Sequence, residues 1–151
     1  MYQELNSLAI AIENHIANGL SFRDISSIVQ NYSGIDWIDH IDHQPTGLTR
    51  NKVYLSFNIE IFIMSWKAGY ETLPHDHSKN GCWLRVLKGE LIERLYSVSN
   101  QEENTNAVSE GQISFMANDI GYHSIKNDTD KTTYSIHIYS PSMHKTKYFS
   151  F

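Results

Sequence analysis

A chain of 151 residues with 40% hydrophobic and 12% aromatic residues can build one self-supporting core and is too short for two substantial domains. Its 19% charged residues and formal net charge of −5 exclude the disordered, charge-rich class and argue against a nucleic-acid or anionic-membrane surface, since either needs clustered Lys and Arg. A lone cysteine, Cys82, excludes an intrachain disulfide framework; no basic segment precedes an N-terminal apolar run; and stretches such as Ile61 to Met64 fall far short of the roughly 20 residues that span a bilayer. The expected setting is cytoplasmic, with a small molecule as partner, no nucleic acid and no membrane.

From Tyr2 to Gly19, Leu5, Leu8, Ile12 and Ile16 recur at helical spacing, which predicts a helix with one buried face that Gly19 stops. Ser21 is placed to cap a second short helix whose inner face carries Ile25, Ile28 and Val29. The tract from Asn31 to Gly47 reads as a loop. Strands are then predicted over Val53 to Phe57, Asn58 to Trp66, Cys82 to Leu87, Glu90 to Tyr96, Gln112 to Met116 and Thr132 to Tyr139. Lys88-Gly89 is expected to form a tight hairpin turn, and the polar tract Ser97 to Glu110 a surface loop. Short strands without intervening helices predict a mainly β antiparallel sandwich or barrel. The expected organisation is one domain over 1–151, with short N-terminal α-helices and a loop in 1–47 and the barrel in 48–151.

The histidines carry the chemistry. His75 and His77 are one residue apart, so on extended chain both side chains project to one face and can share a metal. His123, after the next predicted strands, can return to that face in a closed barrel as a third nitrogen ligand. Three imidazoles without a carboxylate leave a divalent ion its full charge and open positions, a setting suited to an anionic ligand such as a thiolate; imidazole suits iron, zinc, copper and nickel alike. In the strand ending at Tyr139, alternation places Ser135, His137 and Tyr139 on one face and Tyr134, Ile136 and Ile138 on the other.

Gly69, five residues, His75-Asp76-His77, four residues, Cys82, six residues and Gly89 reproduce the first cupin motif, with Cys82 where most cupins carry a glutamate ligand. Gly111, Gly121, His123 and Asn127 resemble the second. The implied fold is a cupin double-stranded β-helix, a jelly-roll barrel housing one metal. Cys82 in the glutamate position, the segment Asn118 to His123 and the run Ser135-Ile136-His137-Ile138-Tyr139-Ser140-Pro141 further resemble the cysteine dioxygenase family, over roughly Arg50 to Pro141.

That resemblance implies one Fe(2+) per chain held by His75, His77 and His123, and oxidation of L-cysteine with O2 to cysteine sulfinic acid. It implies that Ser135 and His137 orient the Tyr139 hydroxyl beside the substrate, that Arg50 clamps the substrate carboxylate, and that Trp66 is a pocket aromatic. Cys82 and Tyr139 stand where animal members form a thioether crosslink. Leu48 stands where the family's tyrosine is expected, which keeps open another small thiol such as 3-mercaptopropionate; a non-catalytic metal-binding cupin is the alternative from a different class. Ten residues follow Pro141, and the elements that cover the pocket in animal members are expected to be either missing or replaced by the N-terminal helices. Oligomeric state is left open.

Overall fold

The computed structural model describes residues 1–97, 99 and 101–150. Two helices, α1 (Leu5–Ala17) and α2 (Ser26–Gln30), precede eight strands: β1 (Leu48–Leu55), β2 (Glu60–Trp66), β3 (Gly81–Lys88), β4 (Glu90–Tyr96), β5 (Glu102–Ser109), β6 (Ile113–Met116), β7 (Tyr122–Lys126) and β8 (Thr133–Ser140). They form a five-stranded sheet ordered β1-β2-β8-β3-β6 and a three-stranded sheet ordered β5-β4-β7, and all of the pairings are antiparallel. This is the expected mainly β, double-stranded β-helix architecture.

The helical periodicity is realised as one buried stripe. Leu5, Leu8, Ala9 and Ile12 of α1 join Ile25 and Val29 against Ile61, Ile63, Ile136 and Ile138 on the outer face of the large sheet. Asp36 anchors the start of α1 from a distance: its Oδ2 accepts the Leu5 N–H at 2.8 Å, and its Oδ1 accepts the Tyr32 hydroxyl. Ser21 caps a 3-10 turn over Phe22–Asp24 rather than a helix, and α2 starts only at Ser26. Within the Asn31–Gly47 loop, Asp36–His40 forms another such turn. The inner face of the sheet buries a second set, Phe62, Met64, Trp66, Leu84 and Val86, together with Leu91, Val108 and Ile125 from the small sheet.

Three expectations are corrected. The tract Ser97 to Glu110 is not all loop: Glu102–Ser109 is a strand paired along β4, at the sheet edge where polar side chains can face water. Val98 and Asn100 of that tract lie outside the described residues. Lys88-Gly89 makes a tight turn but no hairpin ladder, because β3 pairs with β6 and β8 while β4 pairs with β5 and β7; the turn carries the chain from one sheet into the other. Gly89 has φ +95°, and a Cβ there would collide with Thr133 Oγ1. Arg50, expected at the end of a loop, lies inside β1, opposite Met64 of β2.

Candidate metal centre

Register brings the candidate residues together. β8 sits between β2 and β3, so Tyr139 faces Cys82 on one side and Glu60 on the other, His137 faces Leu84 and Phe62, and Ser135 faces Val86 and Met64. Opposed residues share a sheet face, which places Ser135, His137, Tyr139 and Cys82 on the inner face together. His123 lies on β7 of the small sheet, and His75 meets it through a bridge formed by the segment before β3. Gly121 sets the approach of β7: at φ +144° it passes so close to Tyr96 that a Cβ would strike the Tyr96 carbonyl oxygen.

His75, His77 and His123 form a cluster whose ligand atoms all lie within 4.8 Å of one another. His123 Nε2 is 2.9 Å from His77 Nε2 and 3.1 Å from His75 Nε2. On His75, Nδ1 is 2.9 Å from the Leu73 carbonyl and donates to it. On His123, Nδ1 donates to Glu93 Oε2 at 2.7 Å, and Glu93 in turn accepts the Ser114 hydroxyl at 2.8 Å. Both rings therefore present bare Nε2 lone pairs to the same point. Lone pairs so close repel unless a cation lies among them. The three imidazoles can hold a metal ion.

Burial drives all three away from protonation. The pKa of His75 lies below the ordinary imidazole value, and those of His77 and His123 well below it, in each case first because burial disfavours the charged ring. A neutral ring is the form that ligates metal. The backbone around His77 is pinned by Asn118, whose Oδ1 accepts the His77 N–H at 2.8 Å and whose Nδ2 donates to the His77 carbonyl at 3.1 Å.

A cavity of about 30 Å³ adjoins the cluster, lined by residues that include Leu48, Arg50, Trp66, His75, His137 and Tyr139. The larger clefts, about 660 and 470 Å³, share no lining residue with this cavity, and the latter includes Glu93 and Ser114 in its lining. Trp66 Nε1–H donates to Ser135 Oγ at 2.8 Å, and Ser135 Oγ is 2.9 Å from His137 Nε2. An indole N–H only donates, so the Ser135 hydroxyl oxygen accepts from Trp66 and uses its remaining hydrogen-bonding capacity on His137 Nε2. His137 meets Tyr139 by ring stacking, centroids 6.2 Å apart, rather than by a bond to its hydroxyl. Arg50 and the Cys82 thiol lie near enough to the Tyr139 hydroxyl to bear on its titration. Burial raises the Tyr139 and Cys82 pKa values, so both groups keep their protons. The Arg50 guanidinium lies 4.4 Å from the Phe62 ring centroid and 6.0 Å from that of Tyr139.

Two features escaped the sequence. Glu93 occupies an inward position of β4, and its only signal was a carboxylate in alternation with Leu91, a buried strand residue. The outer wall of the cavity comes from residues after β8, Thr146 and Tyr148 among them, whereas α1 and α2 cover the opposite face of the sheet; the helices do not replace the pocket cover.

The family model described as cysteine dioxygenase type I matches residues 14–151. The chain is 24% identical over 132 residues to "Cysteine dioxygenase type 1" of Homo sapiens, covering 81% of this chain and 66% of the human protein, just under two thirds of that relative's length. The corresponding protein of Danio rerio is 22% identical over 144 residues, covering 88% of this chain and 72% of its own. Among solved structures, a Klebsiella pneumoniae protein with a double-stranded β-helix domain superposes with TM-score 0.63 at 12% identity, over 74% of this chain and 87% of that one. A cupin superfamily protein of Desulfitobacterium hafniense gives 0.53 at 11% identity, over 66% and 83%. No helix is long and apolar enough to cross a membrane among the described residues. With the family match running across most of the sequence and three imidazoles converging inside a cupin barrel, the chain belongs to the cysteine dioxygenase type I family.

Proposed function

We propose that the protein is an iron(II)-dependent thiol dioxygenase that oxidises L-cysteine with O2 to cysteine sulfinic acid, using one iron per chain held by His75, His77 and His123. The observation that carries this reading is a shared cavity: the Arg50 guanidinium, the Tyr139 phenol and the His75 imidazole line the same small space. The unit of function is the single domain over 1–151, and a lone buried, unpaired Cys82 suits a cytoplasmic setting.

When bound, the iron supplies the point where thiol and O2 meet and where sulfur is oxidised. The chain's residues do the rest. Arg50 offers a planar donor pair to the substrate carboxylate, fixing the amino acid by its acid end. Tyr139, kept protonated by burial, donates a hydrogen bond beside the reacting sulfur, and Trp66, Ser135 and His137 hold the wall on which its ring stacks. Both oxygen atoms end on one sulfur, RSH + O2 giving RSO2H, so no leaving group needs an exit. The cross-strand pairing of Cys82 with Tyr139 supports a thioether between the Cys82 Sγ and the Tyr139 ring; its formation with O2 as oxidant, which takes up the two hydrogens as H2O2, lowers the chain mass by about 2 Da, readable under denaturing conditions.

Leu48 favours one second reading. It presents an apolar side chain to the cavity, leaving Arg50 with less polar company and suiting a thiol acid without an amine such as 3-mercaptopropionate. The test is O2 uptake after anaerobic iron loading, with cysteine, cysteamine and 3-mercaptopropionate compared. Cysteine is the expected best substrate. Arg50→Gln should cost about 2 to 3 kcal/mol in kcat/KM for cysteine and far less for cysteamine, which has no carboxylate. Iron bound without thiol-dependent O2 uptake would make the protein a binding module instead.

A further inference from the structure

The solvent side of the metal pocket is closed by the segment that follows β8, and that segment is tied down at Asp76, between His75 and His77. The Asp76 N–H donates to the Lys147 carbonyl at 3.0 Å, and the Lys147 N–H donates back to Asp76 Oδ1 at 2.7 Å. His144 Nε2 lies 3.1 Å from the same oxygen. One step further along, the Phe149 N–H donates to the Pro74 carbonyl at 2.8 Å, and the Phe149 ring packs on Tyr122 with centroids 4.6 Å apart. These attachments straddle Tyr148 and hold its ring against His75, centroids 5.6 Å apart.

Tyr148 lines the cavity with Arg50, His137 and Tyr139 while remaining 56% exposed. One side of the ring faces the pocket and the other faces water, so it contributes little to the core and much to the shape of the site. The cavity it closes, about 30 Å³, has room for about two water molecules. A thiol amino acid is larger, so a wall must yield on binding. Leu48, Arg50, Trp66, His137 and Tyr139 are built into the large sheet, whereas Tyr148 lies outside it and is held by the Asp76 clamp, the Phe149–Pro74 hydrogen bond and the contact with His75.

We propose that Tyr148 is a specificity-determining residue: clamped through Asp76, its ring sets the upper size of the thiol that reaches the histidine cluster. This rests on the thiol reading of the site. The test uses cobalt(II)-loaded protein, titrated without turnover with L-cysteine and with L-homocysteine, its homologue longer by one methylene, reading the thiolate-to-cobalt absorption. Wild-type protein should favour cysteine. Tyr148→Ala should shift the ratio of the two affinities toward homocysteine by about tenfold, the discrimination that one methylene commonly carries, while its cobalt affinity stays in place. Tyr148→Phe, which restores the ring, should restore the discrimination. A ratio in Tyr148→Ala equal to that of wild type, or Tyr148→Phe behaving as Tyr148→Ala does, would overturn the proposal. Cobalt-loaded wild type that binds neither thiol would instead overturn the thiol reading, an outcome visible before any Tyr148 variant is made.

Discussion

The five-stranded sheet has two faces made from the same strands, and they are built on different terms. On the outer face Ile61, Ile63, Ile136 and Ile138 meet Leu8, Ile12, Ile25 and Val29, and the polar groups at its margin are used as fasteners: Arg85 Nη1 donates to the carbonyls of Val29, Gln30 and Tyr32, and Trp83 Nε1 to that of Phe22. On the inner face the residues one position over, Ser135, His137 and Tyr139, sit among Phe62, Met64 and Trp66, with Ser135 hydrogen-bonded to both Trp66 and His137 and the His137 ring against that of Tyr139. Strand alternation thus lets β8 turn isoleucines to the helices with every second residue and polar side chains to the candidate site with the ones between. The apolar core and the candidate site are separated by a single Cα step, so substitutions at neighbouring positions should have unlike consequences.

The largest effect expected is on the inner side. His77→Ala leaves two imidazoles and should abolish tight metal binding, a loss beyond the about hundredfold that removal of an outer partner of a ligand costs. Metal titration checks it, and the variant should unfold at nearly the temperature of metal-free wild type. Retention of stoichiometric iron would mean that the three nitrogens do not act as one site. Next comes the converse on the outer side. Ile138 is 0% exposed, so Ile138→Ala should lower stability by about 2 to 5 kcal/mol in denaturant titrations and leave metal affinity in place. If one substitution moved both quantities, the two faces would be coupled and the comparison would fail.

The separation explains what the sequence could reveal. The helix stripe Leu5, Leu8, Ile12 and the alternation around β8 are periodic apolar signals, and both were legible because burial imposes them directly. His75 and His77 were legible because two residues one apart on extended chain share a face, whatever the rest of the fold does. β7 was missed because Tyr122–Lys126 is five residues long and its period is broken by His123 and Ser124, both buried polar groups. β5 was missed because an edge strand facing water carries no apolar alternation beyond Val108. Glu93 and Tyr148 were illegible for another reason: each matters through one partner, His123 or His75, that only the closed barrel brings near.

Acid should also distinguish the faces, more gently. Burial holds the His137 pKa well below the ordinary value of 6.5, so the folded chain keeps this ring neutral where the unfolded chain protonates it. The unfolded state then binds more protons below pH 6.5, and stability declines as pH falls from there toward the folded-state pKa; above pH 6.5 the contribution is constant. Each such histidine adds about 1.4 kcal/mol of slope per pH unit in that window. Denaturant titrations of metal-free protein between neutral and mildly acidic pH should therefore give a steeper fall for wild type than for His137→Gln. Coincident slopes would show that the inner face admits enough water to let His137 charge.

The smallest expected effect concerns the carboxylate behind the metal cluster. Glu93 is 4% exposed, and burial raises its pKa, yet it accepts from both Ser114 and His123, so its charge is placed against the far nitrogen of a candidate ligand. A carboxylate there fixes which His123 nitrogen carries the proton and makes the other a stronger donor to metal. Glu93→Gln preserves shape: the amide oxygen still accepts from His123 Nδ1–H, and the amide nitrogen can donate to Ser114 Oγ. Only the negative charge is removed, so metal affinity should fall by about tenfold, while Glu93→Ala, which also frees the ring, should cost about a hundredfold. Competitive titration with cobalt(II) measures both. The ordering of the two variants carries the argument: equal losses would assign the whole effect to charge, and an unchanged affinity in both would leave Glu93 as a purely structural filling between the sheets, with His123 oriented by β7 alone.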